Sequence, residues 1–461
     1  MAQASEDDSF HQRLLLRAAE AKQAGGQLDS TVWRQAFDEA VESRGFIPYA
    51  EAGGYVSGIG EVVDSVEALL AKGHAEAVIG LSEYGLEAIE EALENVDDSN
   101  GEMGSLLDRL QELHIAACRQ AAPDPEDLAR RLFEWELTGE GYVFHGAAAS
   151  YAEVLGERGL TLYRRLAEAE WKKLPALAPG DDDPERYGKR YRITSIMETL
   201  AGLSGDLEAL VEIKSRDLSL PQGFLEIAML YKEAGHADRA LDWSERGWRA
   251  FADGPRPDER LREFLADAYH DRDRHDEAMA LIWEAFAGRP DFQSYRNLRG
   301  HATRSGNWPV WRDKALSHIR ERISATIRKQ PTRRQDFIAW APSWSDRSAL
   351  VEIFLWERNA NAAWREAKEG GCSRELWLRL AKGREKAHPL DALAIYREDI
   401  PKLLEQTNDR AYREAMDLLH KVRRLFTALE QAEDFSRYMA GLRAAYRRKR
   451  NFIKLLDQAG W

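Results

Sequence analysis

The chain has 461 residues, of which 44% are hydrophobic and 31% are charged, and this composition excludes a largely disordered protein. Its formal net charge of −14 excludes a protein that is basic over its whole surface and leaves room only for a local basic patch. No run of eighteen apolar residues occurs, so we expect no membrane-spanning helix, and the acidic start of the chain does not resemble a signal peptide.

Helical periodicity runs through nearly the whole chain. Apolar residues recur at helical spacing, for example at Val62, Val66 and Leu69, and alternating strand-like segments are absent. Residues 175–186 combine proline, glycine and an acidic run, which is typical of a linker. We therefore predict three parts. They are an N-terminal extension over residues 1–29, an N-terminal helical domain over residues 30–178 and a second helical domain over residues 187–461.

Two segments of the predicted second domain repeat each other. Residues 223–248 and 262–286 both contain alanine, then tyrosine three residues later, then alanine nine residues after the tyrosine, starting at Ala228 and Ala266. Small residues where helices touch, with a tyrosine wedged between them, are typical of a helical hairpin. A weaker third copy covers residues 292–316. The predicted fold is all-α, an α-solenoid of stacked helical hairpins with an N-terminal helical domain.

Candidate metal ligands are few. Cys118 and Cys372 are the two cysteines, which excludes a disulfide framework and, without an export signal, favours a reducing cytoplasm. His114 lies four residues before Cys118, a spacing that suits a metal, but no second ligand pair accompanies it. Residues 270–276 are rich in histidine and aspartate but fall where a solvated turn is expected. We predict no metal site, no cofactor and no catalytic residue.

The C-terminal segment carries a local excess of positive charge. Between Arg437 and Leu456 there are seven Lys or Arg residues and no Asp or Glu. Two interpretations remain open: a basic last helix packed on the acidic body of the protein, or a site for nucleic-acid phosphates, which arginines beside Tyr446 and Phe452 would suit. The residues of this candidate anion or nucleic-acid site are Arg443, Arg447, Arg448, Lys449, Arg450 and Lys454.

The repeated hairpins resemble tetratricopeptide repeats, and Pro290 stands where that family ends a repeat with proline. The resemblance implies a groove lined by the first helix of each hairpin. Because the lining is mixed in charge with several basic groups, it suits a protein or peptide that carries acidic residues. The residues at groove positions are Gln222, Met229, Lys232, Arg260, Glu263, Asp267, His270, Gln293 and Arg296.

Further segments resemble two bacterial groups. Residues 294–316, 350–367 and 438–457 are similar to the helical C-terminal region of SWIM zinc-finger proteins. The CxCxnCxH finger of those proteins is missing here, so the role suggested for the finger is not implied. Residues 95–101, 123–125 and 133–137 resemble an uncharacterised bacterial family of helical proteins without the finger. That resemblance implies a fold and a bacterial origin but no activity.

These observations favour a non-enzymatic scaffold or adaptor that binds a protein or peptide in the helical-repeat groove. The first alternative is a nucleic-acid-associated protein that uses the basic C-terminal helix, and the second is an enzyme with a site between helices. We expect a cytoplasmic protein with no membrane partner. The sequence determines neither the identity of the partner nor the oligomeric state.

Overall fold

The computed structural model describes residues 30–43, 45–139, 143–184, 186–252, 258–329 and 347–461. Within these ranges the regular structure is helical, and β-type pairing is confined to two isolated bridges, Ile47 with Val96 and Leu177 with Asp217. The predicted all-α fold class is therefore confirmed. None of the described helices is both long enough and apolar enough to cross a bilayer.

The chain divides into two compact units, Met1–Leu261 and Arg262–Trp461. The linker predicted at residues 175–186 lies inside the first unit, so a domain boundary between residues 178 and 187 stays a prediction. The N-terminal extension predicted over residues 1–29 lies outside the described residues.

In the first unit, the helices between Trp33 and Leu200 bury their apolar faces in one hydrophobic core. The predicted stripe of Val62, Val66 and Leu69 is buried in it. Burial of each such side chain contributes about 1.5–3 kcal/mol to folding. The helices of this unit are α1 (Thr31–Val41), α2 (Tyr49–Ala71), α3 (Ala75–Leu93), α4 (Glu102–Ala121), α5 (Pro125–Thr138), α6 (Ala147–Ser150), α7 (Ala152–Trp171), α8 (Lys189–Ser204), α9 (Leu207–Lys214), α10 (Pro221–Glu233) and α11 (Ala237–Ala250).

In the second unit, consecutive helices from His275–Gly288 to Ala432–Ala445 contact one another, and Arg450–Gln458 contacts Asp409–Ala428. The helices Phe292–Arg304, Ser348–Trp356 and Arg374–Arg384 also contact one another in succession. This arrangement, in which hairpins lie side by side, is that of stacked helical repeats. The helices are α12 (Glu259–His270), which contains the boundary between the units, α13 (His275–Gly288), α14 (Phe292–Arg304), α15 (Trp308–Lys329), α16 (Ser348–Trp356), α17 (Ala360–Gly370), α18 (Arg374–Arg384), α19 (Pro389–Glu405), α20 (Asp409–Ala428), α21 (Ala432–Ala445) and α22 (Arg450–Gln458).

The same backbone turn joins the two helices of each repeated hairpin. Gly235, Asp273 and Gly306 occupy its left-handed position with φ of 80°, 58° and 72°. The following N–H group donates to a carbonyl in the last turn of the preceding helix, at 2.8 Å to Tyr231 and at 2.9 Å to Tyr269. Such a turn satisfies carbonyl groups that a helix end leaves unpaired. The repeat spacing in the sequence therefore reflects one repeated way of ending a helix.

The predicted linker is tied to its surroundings. Arg190 is 3% exposed, pairs with Asp183 and donates from Nη2 to the carbonyl of Pro175 at 2.9 Å. Leu177 forms its isolated bridge with Asp217. Charged side chains and backbone pairing thus hold this segment against the rest of the first unit.

Candidate interaction surfaces

The groove residues predicted in the first unit lie on α10 and in the first turn of α12. Gln222 is partly buried, and its Nε2 donates to Oε1 of Glu226 at 2.8 Å. Met229 is 39% exposed, and Lys232 and Arg260 are also exposed. Three of these four side chains are therefore accessible to a partner.

Two predicted groove acids in the second unit are engaged by α14. Glu263 accepts a hydrogen bond from Nδ2 of Asn297 at 2.7 Å and contacts Nε2 of His301 at 3.0 Å, while Asp267 pairs with Arg304. Burial raises the pKa of Glu263, but its hydrogen bonds with His301 and Asn297 outweigh that effect, and the pKa lies below its ordinary value. These acids join α12 to α14 and are not open groove positions.

His270 requires a correction, because the structure buries the side chain that the repeat spacing placed on the groove. Its exposure is 4%, and its ring stacks on His301 with 5.2 Å between ring centroids. Nδ1 of His270 lies 2.8 Å from Nδ1 of His275, and its Nε2 has no hydrogen-bond partner among the described residues. Burial, followed by the positive charge of Arg304, lowers the pKa of His270 to about 4. A partner cannot reach this residue.

The outward face of α14, unlike His270, is exposed to solvent. Gln293 and Arg296 are exposed as predicted, and Arg299, which the repeat spacing did not select, is exposed beside them. The Arg299 guanidinium lies over Trp356, 4.6 Å from the ring centroid, and Arg296 lies 5.9 Å from the centroid of Phe292. Within the described part of the chain neither arginine has an ion-pair partner. We call Gln293, Arg296, Arg299 and Trp356 the α14 surface.

Buried contacts fix the aromatic rings beneath the α14 surface. The ring of Tyr295 packs edge-on against Trp356, with 6.3 Å between centroids, and its hydroxyl donates to Oε1 of Glu357 at 2.8 Å. Arg312 donates to both carboxylate oxygens of Glu357, at 2.8 and 2.6 Å. Glu357 is paired with Arg312, and its carboxylate also interacts electrostatically with Arg299, more weakly than with Arg312. The surface therefore presents two cations on a rigid aromatic base.

The basic C-terminal segment is not one helix, and that prediction was wrong. Helix α21 ends at Ala445 and α22 begins at Arg450, so Arg447, Arg448 and Lys449 lie on the turn between them. No proline or glycine marks this break, which explains why helical periodicity alone passed over it. Arg443 donates to Asp457 and to the carbonyl of Trp461, with Nε at 2.7 Å from that carbonyl. It is therefore already engaged.

The other predicted basic side chains point to solvent. Lys449 is partly exposed and the others are exposed. None of these side chains has a hydrogen-bond or ion-pair partner among the residues that the structure describes. We call this group the basic turn; its members are Arg447, Arg448, Lys449, Arg450 and Lys454.

His114 belongs to a buried polar network, and Cys118 lies beside its ring. Nδ1 of His114 lies 2.8 Å from the hydroxyl of Tyr151 and Nε2 lies 3.2 Å from Oε1 of Glu83, which also accepts from Arg131 at 2.6 Å. Burial raises the pKa of Cys118 to about 12, so this thiol is not an activated nucleophile. No set of three or more His, Cys, Asp or Glu side chains in the described ranges is arranged to hold a metal ion.

The sequence profile of one family, described as a family of unknown function (DUF6880), matches residues 1–455. The chain belongs to DUF6880. Membership of an uncharacterised family is thus confirmed, whereas a bacterial origin of the DUF6880 chain and its likeness to SWIM proteins stay predictions. No curated protein matches the sequence.

Solved structures similar to the DUF6880 chain are helical proteins of comparable length. Yeast Tom70 shares 13% identity, with 100% of this chain and 93% of that chain covered and a TM-score of 0.24. Cut9 in the Cut9–Hcn1 hetero-tetramer of the APC/C shares 11% identity over 93% and 95% of the chains, with a TM-score of 0.18. A circular tandem repeat protein shares 16% identity over 97% and 100%, with a TM-score of 0.15.

Proposed function

We propose that this DUF6880 protein is a non-enzymatic scaffold that binds a protein or peptide carrying acidic residues at the α14 surface. The observation that carries the proposal is the pair Arg296 and Arg299, exposed on aromatic rings and without an ion-pair partner in the described residues. In the same unit, nearby acids on α12 are already engaged by α14 side chains. The α14 surface is therefore left with a net positive charge that an acidic partner would neutralise.

The chemistry of the two arginines suits carboxylates. A guanidinium presents its donors in a planar fork that matches a carboxylate, and stacking on an aromatic ring restricts the side chain before a partner arrives. Arginine and tryptophan are also enriched among the residues that dominate binding energy at protein interfaces. An isolated exposed ion pair contributes only about 0.2–1 kcal/mol. The aromatic base and the second arginine are what raise the expected effect above that range.

The experiment compares two charge-reversal variants in affinity purification from native cells, with nuclease added to every sample. Arg296→Glu with Arg299→Glu reverses the α14 surface, and Arg164→Glu with Arg165→Glu makes the same change of charge on exposed residues of α7. We expect partners to be lost in the first variant and retained in the second. A recovered partner is then tested by direct binding, where the first variant should weaken the affinity at least tenfold, or about 1.4 kcal/mol.

Direct binding also tests the chemical class of the partner. A peptide from the recovered partner should lose affinity when its Asp and Glu residues are replaced by Asn and Gln. The proposal is wrong if the α14 variant retains every partner, or if the neutral peptide binds as tightly as the acidic one.

The two alternative functions concern other parts of the molecule. Nucleic-acid association concerns the basic turn in the second unit. For an enzyme, the sequence offered His114 with Cys118 and residues 270–276, and in the structure His114, Cys118 and His270 are buried and engaged in internal contacts. Nothing in those contacts favours a reaction, so we do not propose one.

A further inference from the structure

The basic turn is held in place by apolar contacts on its inner side. Phe452 and Leu456, in α22, are fully buried, and the Phe452 ring lies 6.0 Å from that of Tyr412 and 6.4 Å from that of Tyr446, measured between centroids. The N–H group of Lys449 donates to the carbonyl of Tyr446 at 2.9 Å and closes the turn. The backbone that carries the cations is therefore ordered before any ligand binds, which reduces the entropy cost of binding.

The positions of the cations are unfavourable for the helix that they begin. Lys449 precedes the first residue of α22 without a side-chain cap, and Arg450 is that first residue. Positive charge near a helix N-terminus opposes the helix dipole, by about 0.3–1 kcal/mol for each exposed group at most. Arg447 and Arg448 add like-charge repulsion. An anion bound here would remove both costs and could also accept hydrogen bonds from the first N–H groups of α22.

Acidic groups near the turn form no ion pair with its cations in the described part of the chain. Asp409 accepts from Nδ2 of Asn451 at 3.2 Å, and Asp457 pairs with Arg443. Glu405 lies close enough to contribute to the raised pKa of Tyr446, after the larger effect of burial, but it is not within ion-pair distance of a described cation. The five cations therefore remain available to a ligand from outside.

We infer that the basic turn binds the phosphate backbone of single-stranded nucleic acid. The exposed large apolar side chains that the structure describes lie elsewhere, the nearest along the sequence being Leu390. A peptide partner or an inserting membrane surface would normally use an apolar anchor. A phosphate backbone needs none, because its affinity comes from cations that displace condensed counterions. A single strand is flexible enough to follow a turn that presents four of its five cations on consecutive residues.

The test is fluorescence anisotropy of the full-length protein with a labelled single-stranded RNA of mixed sequence, over a series of salt concentrations. With four to five phosphates neutralised, the logarithm of the affinity should fall with the logarithm of salt concentration with a slope of about −3. A variant with Arg447, Arg448, Lys449 and Arg450 all changed to Ser should lose at least tenfold in affinity at low salt. Its remaining salt slope should be close to zero.

A matched control removes the same number of charges elsewhere. Arg164, Arg165, Lys172 and Arg365 are exposed, lack ion pairs in the described residues, and are changed to Ser together. This control should bind RNA within threefold of the unaltered protein, and thermal unfolding should show that both variants are folded. Equal losses in the two variants, or no RNA binding by the unaltered protein at low salt, would overturn the inference.

Two further probes separate the ligand classes. Poly-glutamate of similar length and vesicles containing phosphatidylserine should bind at least tenfold more weakly than RNA. Comparable binding of either would show a general polyanion site or a lipid site and would contradict the inference. The Arg296→Glu, Arg299→Glu variant should bind RNA normally, so failure of this inference and failure of the proposed scaffold function are distinguishable.

Discussion

Two charged regions of this protein differ in how their cations are paired: residues 175–190, which lead into α8 in the first unit, and the basic turn, which leads into α22 in the second. In the first, Arg190 is buried and satisfied by Asp183 and by a backbone carbonyl. In the second, five cations are accessible and have no partner within the described residues. A charge with an internal partner stabilises the fold, and removing it leaves other groups unpaired. A charge without one contributes little to folding and is available for binding.

The largest effect on the free energy of unfolding is expected when Arg190 is replaced. Changing Arg190 to Met keeps much of its volume but removes the guanidinium that pairs with Asp183 and donates to the carbonyl of Pro175. We expect the free energy of unfolding to fall by about 2–4 kcal/mol. Chemical denaturation measures the change, and Arg164→Met, on an exposed arginine, should change it by less than about 0.5 kcal/mol. If both variants lost a similar amount of unfolding free energy, the internal pairing of Arg190 would not explain its contribution to stability.

An intermediate effect on the free energy of unfolding is expected from His270. Of its two ring nitrogens, only Nδ1 has a hydrogen-bond partner in the described residues. Its folded-state pKa of about 4 lies below the ordinary value of 6.5, so the unfolded chain binds more protons between these pH values. The stability that His270 contributes is therefore present above pH 6.5 and is lost as the pH falls toward 4. Allowing for solvent screening, the loss is roughly 1–2 kcal/mol.

Denaturation at a series of pH values tests this prediction. The variant His270→Phe keeps a ring against His301 but cannot titrate, so its unfolding free energy should fall less steeply between pH 6.5 and 4.5. The same pH dependence in both proteins would show that His270 does not titrate in this range. His275→Phe is a useful comparison because His275 is more exposed than its neighbour.

The smallest effect is expected at the basic turn. Replacing Arg447, Arg448, Lys449 and Arg450 with Ser should not lower the free energy of unfolding, and should raise it in low salt by about 0.3–1 kcal/mol as repulsion and the opposition to the helix dipole are removed. Differential scanning calorimetry at two salt concentrations measures this. A loss above 1 kcal/mol would show that these cations have a structural role after all.

Much of the hairpin architecture could be predicted from sequence because it depends on local patterns. The spacing that begins at Ala228 and Ala266 reflects small residues that are fully or almost fully buried between helices. Gly235 marks a turn because glycine adopts positive φ at little cost. Asp273 adopts the same conformation without being glycine, and only its register with the first repeat identifies it.

The interaction surfaces were harder to predict because they depend on which side chains meet in space. The groove position of His270 follows from repeat spacing, but its burial follows from contacts with His275 and His301. Arg299 was missed because the repeat pattern assigns it to no groove position, although Trp356, far along the chain, makes it part of a surface. Local patterns carry no information about such distant neighbours.

The left-handed turn at Gly235, Asp273 and Gly306 recurs at Arg358, between α16 and α17, with φ of 60°. At each of these four junctions the N–H group after the left-handed residue donates to a carbonyl five residues earlier, as from Asn359 to Phe354 at 2.8 Å. Each hairpin is therefore closed by its own backbone. The length of chain between successive junctions is free to differ, because the closure of a hairpin does not depend on it.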